Sequence, residues 1–205
     1  MIVVLNRHYA KVACENVKVG TVGVLRLVPI FCGTERDLVD SLVATLHTVF
    51  GLRVELHPPS FDPELAYDSS RGQYNSRLLL AQLLREAKPD TTRILGVVGV
   101  DLFIPVLTYV FGEAQLAGRA AVVSTHRLDN QLYGLPANRK LLLQRLRKEA
   151  IHELGHTYNL LHCHQHACVM MSSTYVEGID LKSDRFCDRC LDQLRQSGVK
   201  ARTSE

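Results

Sequence analysis

The chain lacks several things that a sequence of its size can carry, and each lack narrows the reading. No apolar run approaches the length a membrane span needs. The opening stretch, MIVVLNRHYAKVACENVKVG, is only briefly apolar before Asn6, Arg7 and His8. It has neither the basic start nor the long apolar core of a secretory leader, so the expected compartment is the cytoplasm. A charge excess is lacking too. The net charge is +3, and basic residues are scattered until the C-terminal tail. Without a basic patch interleaved with aromatics, nucleic acid is not an expected partner. No internal repeat is present, which excludes a solenoid or an array.

What is there is ordinary globular composition. Of 205 residues, 46% are hydrophobic and 22% charged, enough to bury a substantial core within one domain spanning 1–205. Six cysteines in a reducing compartment point to metal before disulfides. Cys14 and Cys32 stand alone and read as core or surface thiols. The other four fall between 163 and 190.

Periodicity predicts the framework. Residues 22–30 alternate loosely and read as a strand, with 1–20 an extension or an extra strand. Thr34 is placed to cap a helix carrying Leu38, Leu42, Leu46 and Val49, which Gly51 closes. Residues 52–56 read as a second strand, and 57–72 as a long polar loop. A helix is expected over 75–87. The continuous apolar run 93–99 has the look of a central strand covered on both sides. Two crossovers then give a mostly parallel sheet. Residues 108–114 and 119–124 read as a hairpin. If the second of them continues the parallel sheet, the first is an antiparallel edge able to pair with an extended peptide. After a polar loop at 125–137, Asn138 caps a long helix whose core side is Leu142, Leu146, Ala150 and Leu154. A short helix is expected after Cys190, and 198–205 as a disordered tail. The predicted class is α/β (α+β): a compact domain with a twisted mixed sheet, one antiparallel edge strand, a long helix and a zinc-stapled C-terminal region.

The long helix carries the chemistry, in HELGHTYNLLHC at 152–163. His152 and His156 project about 40° apart on one face and can share a metal ion. Glu153 beside them suits a general base acting on a metal-activated water. His162 lies about 240° round the helix from His156, so the chain must leave the helix and turn back. Asn159 stands midway, and asparagine is the non-glycine residue most tolerant of positive φ. Cys163 and Cys168, with Cys187 and Cys190, supply two pairs around a structural zinc. His164 and His166 inside the first pair read as solvated loop residues. His8, His47, His57 and His126 have no partners at ligand spacing.

HExxHxxGxxH followed by Cys is the signature of the metzincin zinc peptidases. The continuation His162-Cys163, Cys168-Val169-Met170 and Cys187-Asp188-Arg189-Cys190 resembles the archaemetzincins. RGQYNS at 71–76 and DLFIPVLTYVFGEA at 101–114 are similar to that family as well. The likeness covers most of the chain, with the first ~20 residues outside it. The family's glycine is Asn159 here. The resemblance implies a zincin fold and two zinc ions per chain. The catalytic ion lies on His152, His156 and His162, and the structural ion on Cys163, Cys168, Cys187 and Cys190. Glu153 is the general base, and Met170, with Met171 beside it, forms an apolar floor. Tyr175 follows, within reach of an oxyanion or simply packed. The substrate is a peptide or protein, and the chain a monomer. A second reading is a zinc-stabilised binding protein with a vestigial peptidase site, which Asn159 favours. A third makes the cysteine knuckle a nucleic-acid module, against which the missing basic patch counts.

Overall fold

The computed structural model describes residues 23–33 and 36–199. The 1–20 extension, the Thr34 cap and residues 200–205 lie outside them. In chain order the elements are β1 (Val24–Ile30), α1 (Arg36–Phe50), β2 (Arg53–Leu56), β3 (Tyr67–Asp68), β4 (Gln73–Asn75), α2 (Ser76–Glu86), β5 (Thr91–Val98), β6 (Leu102–Phe103), β7 (Gly112–Ala114), β8 (Ala120–Ser124), α3 (Arg139–Thr157), α4 (Val176–Leu181) and α5 (Asp188–Gln196).

Parity sorts the strand side chains into two cores. Leu25 and Leu27 of β1 and Leu95 and Val97 of β5 join one cluster, with α1 and α3 packed on it. Val28, Ile30, Ile94 and Val98 join the other, under Leu79, Leu80 and Leu83 of α2. Successive side chains of a strand point to opposite faces, so a strand covered on both sides must be apolar throughout. β5 is the middle strand of the order β2-β1-β5-β8-β7. The first four strands are parallel, and β7 pairs antiparallel with β8 through Gly112↔Val123, Glu113↔Val122 and Ala114↔Ala121. The expected mixed sheet with one antiparallel edge is the one observed.

Helix ends follow their caps. Gly51 adopts φ 64°, and its N–H bonds the His47 carbonyl at 2.9 Å. Asn75 Oδ1 accepts from the Arg77 N–H at 3.1 Å, and Asn138 Oδ1 from the Leu141 N–H at 3.0 Å.

The structure departs from the sequence expectation where elements are short. The segment 57–72 contains a 3₁₀ turn, Pro63–Ala66, capped by Asp62, followed by β3. β3, β4 and β6 make a small second sheet. Strands of two or three residues show no period to read. The strand expected from 108 begins only at Gly112. Before it the Leu107 N–H folds back onto the Ile104 carbonyl at 3.0 Å, and Val110 makes a single bridge to Leu102. Two further 3₁₀ turns occupy 126–128 and 130–133. α4 was not legible, and α5 begins before Cys190, with Cys187 at its N-cap. Val199, placed in the tail by its sequence, packs into the first core. Buried Arg145 docks α4 onto α3: its guanidinium meets Asp180 at 2.8 and 2.7 Å and the Leu128 carbonyl at 2.8 Å.

Candidate active site and metal centres

From Glu149 to Thr157 every residue of α3 is buried. The stripe Leu142, Leu146, Ala150, Leu154 faces the sheet side as expected. His152, Glu153 and His156 line the floor of a cleft of about 480 Å³ under β7.

The end of α3 sets the third histidine. Asn159 takes φ 65°, the left-handed conformation the spacing requires. The Leu160 N–H bonds the Gly155 carbonyl at 3.2 Å, and the Asn159 N–H bonds the His156 carbonyl at 3.0 Å. This paired 6→1 and 5→2 arrangement is a Schellman motif with Asn159 at its left-handed position. It reverses the chain and brings His162 within 5.2 and 5.0 Å of the His152 and His156 rings, centroid to centroid. The candidate ligand atoms of the three lie within 4.8 Å of one another.

The protonation pattern tests whether a metal fits. His152 Nδ1 meets the Val169 carbonyl at 2.9 Å, and His156 Nδ1 meets the Leu160 carbonyl at 2.7 Å. Carbonyls only accept, so each Nδ1 carries the proton and each Nε2 presents a lone pair. The two Nε2 atoms face each other at 3.1 Å. Burial holds both histidines below their usual pKa range and brings His162 to about 4. Both rings are therefore neutral, and two lone pairs converge where a cation belongs. Tetrahedral zinc with bonds of ~2.0–2.1 Å sets its nitrogens about 3.3 Å apart. The donor set fits that ion.

Glu153 lies against the backbone of β7. A Cβ on Gly112 would come within 2.7 Å of Glu153 Cγ and 2.6 Å of the Val122 carbonyl oxygen, so only glycine lets the edge strand approach this closely. Burial raises the Glu153 pKa well above the ordinary carboxylate range; the charges of Glu149 and Glu113 add to it, and Lys182 opposes. Lys182 was not foreseen. Its side chain is fully buried, with Nζ 2.7 Å from Glu149 Oε1 and 3.1 Å from the Met171 carbonyl. It ties the helix turn before Glu153 to the loop below. Glu149, four residues before Glu153, was readable from helical spacing; its partner 33 residues on was not. Glu113, also unforeseen, is held by Ser76 Oγ at 2.5 Å and Arg77 Nε at 3.4 Å.

Met170 is fully buried beneath the helix, and a Cβ on Gly155 would meet its sulfur at 2.6 Å. Met171 is only half-buried and turns its carbonyl to Lys182. Of the two, Met170 is the floor. Tyr175 is exposed on the cleft rim.

The four cysteines converge as the spacing predicts, with all ligand atoms within 4.8 Å. Cys163 Sγ and Cys187 Sγ are 3.7 Å apart, too far for a disulfide. Tetrahedral zinc–sulfur bonds of ~2.3 Å place sulfurs about 3.8 Å apart. Backbone N–H groups of Gln165 and Cys187 donate to Cys163 and Cys168, both at 3.4 Å, and Arg189 reaches Cys163 Sγ at 3.3 Å. Burial disfavours the Cys163 thiolate, but the Gln165 amide and the Arg189 guanidinium outweigh it and bring the thiol to about 7. His164 and His166 are exposed, as expected. Cys32 donates to the Val97 carbonyl at 3.1 Å, and His47 Nδ1 meets the Leu52 carbonyl at 2.8 Å, so both are structural. Cys14 and His8 lie outside the described residues.

Known proteins resemble this chain over most of its length. An archaemetzincin of Methanocaldococcus jannaschii is 44% identical over 152 residues, 74% of this chain and 82% of that protein. The crystal structure of the archaemetzincin of Methanopyrus kandleri superposes with a TM-score of 0.76 at 37% identity, covering 89% of this chain and 98% of that one. A zinc-dependent peptidase from Methanocorpusculum labreanum superposes at 0.73 with 27% identity, over 83% of this chain and 99% of that one. A sequence profile described as peptidase family M54 matches residues 36–196, which carry the cleft, both clusters and every strand of the main sheet except β1, and the chain belongs to that family.

Proposed function

We propose that this protein is a zinc-dependent peptidase of the metzincin pattern, with its catalytic zinc on His152, His156 and His162 and a second, structural zinc on Cys163, Cys168, Cys187 and Cys190. The observation that carries the reading is the facing pair of Nε2 lone pairs at 3.1 Å beside a buried carboxylate. Zinc bound there supplies a Lewis acid that acidifies water and polarises a carbonyl. Glu153 takes the proton of the attacking water and passes it to the leaving amine; its raised pKa suits a base that must also act as an acid. The free edge of β7 offers main-chain N–H and C=O groups to an extended substrate laid over the histidines. Adjacent His162 and Cys163 couple the two ions, so the structural ion steadies the third catalytic ligand. The binding-protein alternative drew on Asn159, and the Schellman turn removes that ground.

We read the chain as a single-domain monomer of the cytoplasm. Among the described residues no helix is long and apolar enough to cross a membrane. Metal analysis of the purified protein is expected to find two zinc ions per chain. Glu153→Gln is expected to retain both and to lose peptide hydrolysis by about 10²–10⁴-fold, the range for a general base. Unchanged turnover in that variant refutes the assignment.

A further inference from the structure

Lys182 and Glu149 are an oppositely charged pair buried beside the histidines. Their side chains are 0% and 5% exposed, with Nζ 2.7 Å from Oε1. Burying the pair costs the desolvation of two ions, and apolar side chains of similar volume in such a place commonly leave a protein as stable or more so. Stability alone therefore gives no reason for an ammonium here. An ammonium has several directional donors, and an apolar side chain has none. Lys182 directs a second one at the Met171 carbonyl, 3.1 Å away.

That carbonyl ends a segment with several tasks. Within 168–171, Cys168 belongs to the cysteine cluster. The Val169 carbonyl accepts from His152 Nδ1 at 2.9 Å. The Met170 carbonyl accepts from the Cys163 N–H at 2.9 Å, and its sulfur lies beneath Gly155. A neighbouring stretch backs the segment: the Ser183 N–H bonds the Ala167 carbonyl at 2.9 Å, and the Val169 N–H bonds the Arg185 carbonyl at 2.8 Å. These bonds join 167–169 to 183–185, not to α3. Lys182 joins both stretches to the helix. It directly precedes Ser183, holds the end of the segment, and reaches Glu149, three residues before His152 on α3.

The orientation of His152 depends on that link. The helix fixes its Cα, and the Val169 carbonyl fixes its ring. A slip of the segment by about 1 Å along the helix takes the Nδ1–H···O bond out of hydrogen-bond range. The ring is then free to turn or to exchange its proton, and Nε2 is no longer reserved as a lone pair.

We infer that Lys182 is a positioning residue for the metal site: bonded to Glu149 and to the Met171 carbonyl, it fixes the segment 168–171 against α3 so that the Val169 carbonyl orients His152. The inference rests on the reading of the three histidines as a metal centre. Lys182 acts through Val169, from outside the lining of the cleft.

The test uses the full zinc-loaded protein. Zinc is withdrawn with a graded chelator, and the step absent in His156→Ala is assigned to the histidines. Lys182→Met/Glu149→Leu replaces both ions by apolar side chains. It is expected to unfold near the wild-type denaturant midpoint, yet to hold the histidine zinc about tenfold more weakly, the lower end of the range for groups that orient a metal ligand. Lys182→Gln/Glu149→Gln also removes both charges, but its amide has two N–H donors for the two acceptors. It is expected to keep zinc affinity within about threefold of wild type. A structural role alone would not separate these two pairs. If the apolar pair does not fold, Lys182→Met/Glu149→Gln, which likewise lacks a donor for the Met171 carbonyl, carries the same expectation. Wild-type zinc affinity in a folded variant without that donor overturns the inference. So does an amide pair as weak as the apolar one, which assigns the effect to charge. Zinc withdrawal that His156→Ala leaves unchanged overturns the metal-site reading instead.

Discussion

The turn at Asn159 is the step on which the histidine site depends, and it can be perturbed from both sides. Its φ of 65° costs an ordinary L-residue about 1–2 kcal/mol, and asparagine less. Asn159→Gly relieves that cost but adds freedom to the unfolded chain, worth about 0.5–1 kcal/mol in the opposite direction. The two nearly cancel. The net change is expected within about 0.5 kcal/mol, and the melting shift below about 2 °C for a chain this long. Zinc content and kcat/KM should stay within about threefold of wild type, because the same Schellman bonds from Asn159 and Leu160 to His156 and Gly155 form with either residue. Asn159→Val is the contrasting change. A β-branched residue at positive φ is a true outlier, and the strain of about 1–2 kcal/mol or more corresponds to a fall of roughly 3–8 °C. The turn also orients a second ligand, since the Leu160 carbonyl holds His156 Nδ1 at 2.7 Å. The valine variant should therefore lose zinc from the histidine site before it unfolds. Calorimetry with and without a chelator, zinc analysis and peptide turnover read all three effects. A gain of tenfold or more in Asn159→Gly would mean that asparagine had distorted the approach of His162. An undiminished Asn159→Val would remove the left-handed turn from the explanation.

Other perturbations test the remaining parts of the site. Cys190→Ser is expected to reduce zinc from two ions toward one and to lower turnover as well, because Cys163 follows His162; full activity with one ion lost would uncouple the two centres. Lys182→Met leaves Glu149 buried without its partner and is expected to cost about 3–5 kcal/mol in denaturant unfolding, while adding Glu149→Leu should restore most of it. Recovery failing in the double variant would show that Lys182 acts through another group. Gly112→Ala must push the edge strand off Glu153 or the Val122 carbonyl and is expected to cost about 1–3 kcal/mol in stability with a larger loss in kcat; an alanine tolerated without either loss refutes the close approach.

Much of this protein was legible without coordinates because its information is local. The pairing of His152 with His156 is one helical turn, and a capped helix cannot place them otherwise. The apolar run at 93–99 identified a strand buried on both faces, and Asn138 and Gly51 ended helices by chemistry contained in a few residues. The two cysteine pairs and the left-handed turn at Asn159 belong to the same category, since each is set by spacing along the chain. The tertiary structure alone decided what long-range contacts create. Lys182 reaches Glu149 across 33 residues, Tyr109 reaches Thr174 across 65, and no periodicity links them. The short strands of the second sheet and the helix α4 are stabilised by packing rather than by their own pattern, Arg145 fastening α4 from another helix. Local chemistry determined which residues could hold a metal; only the folded chain determined what lines the cleft above them, because those walls come from segments whose sequences carry no sign of each other.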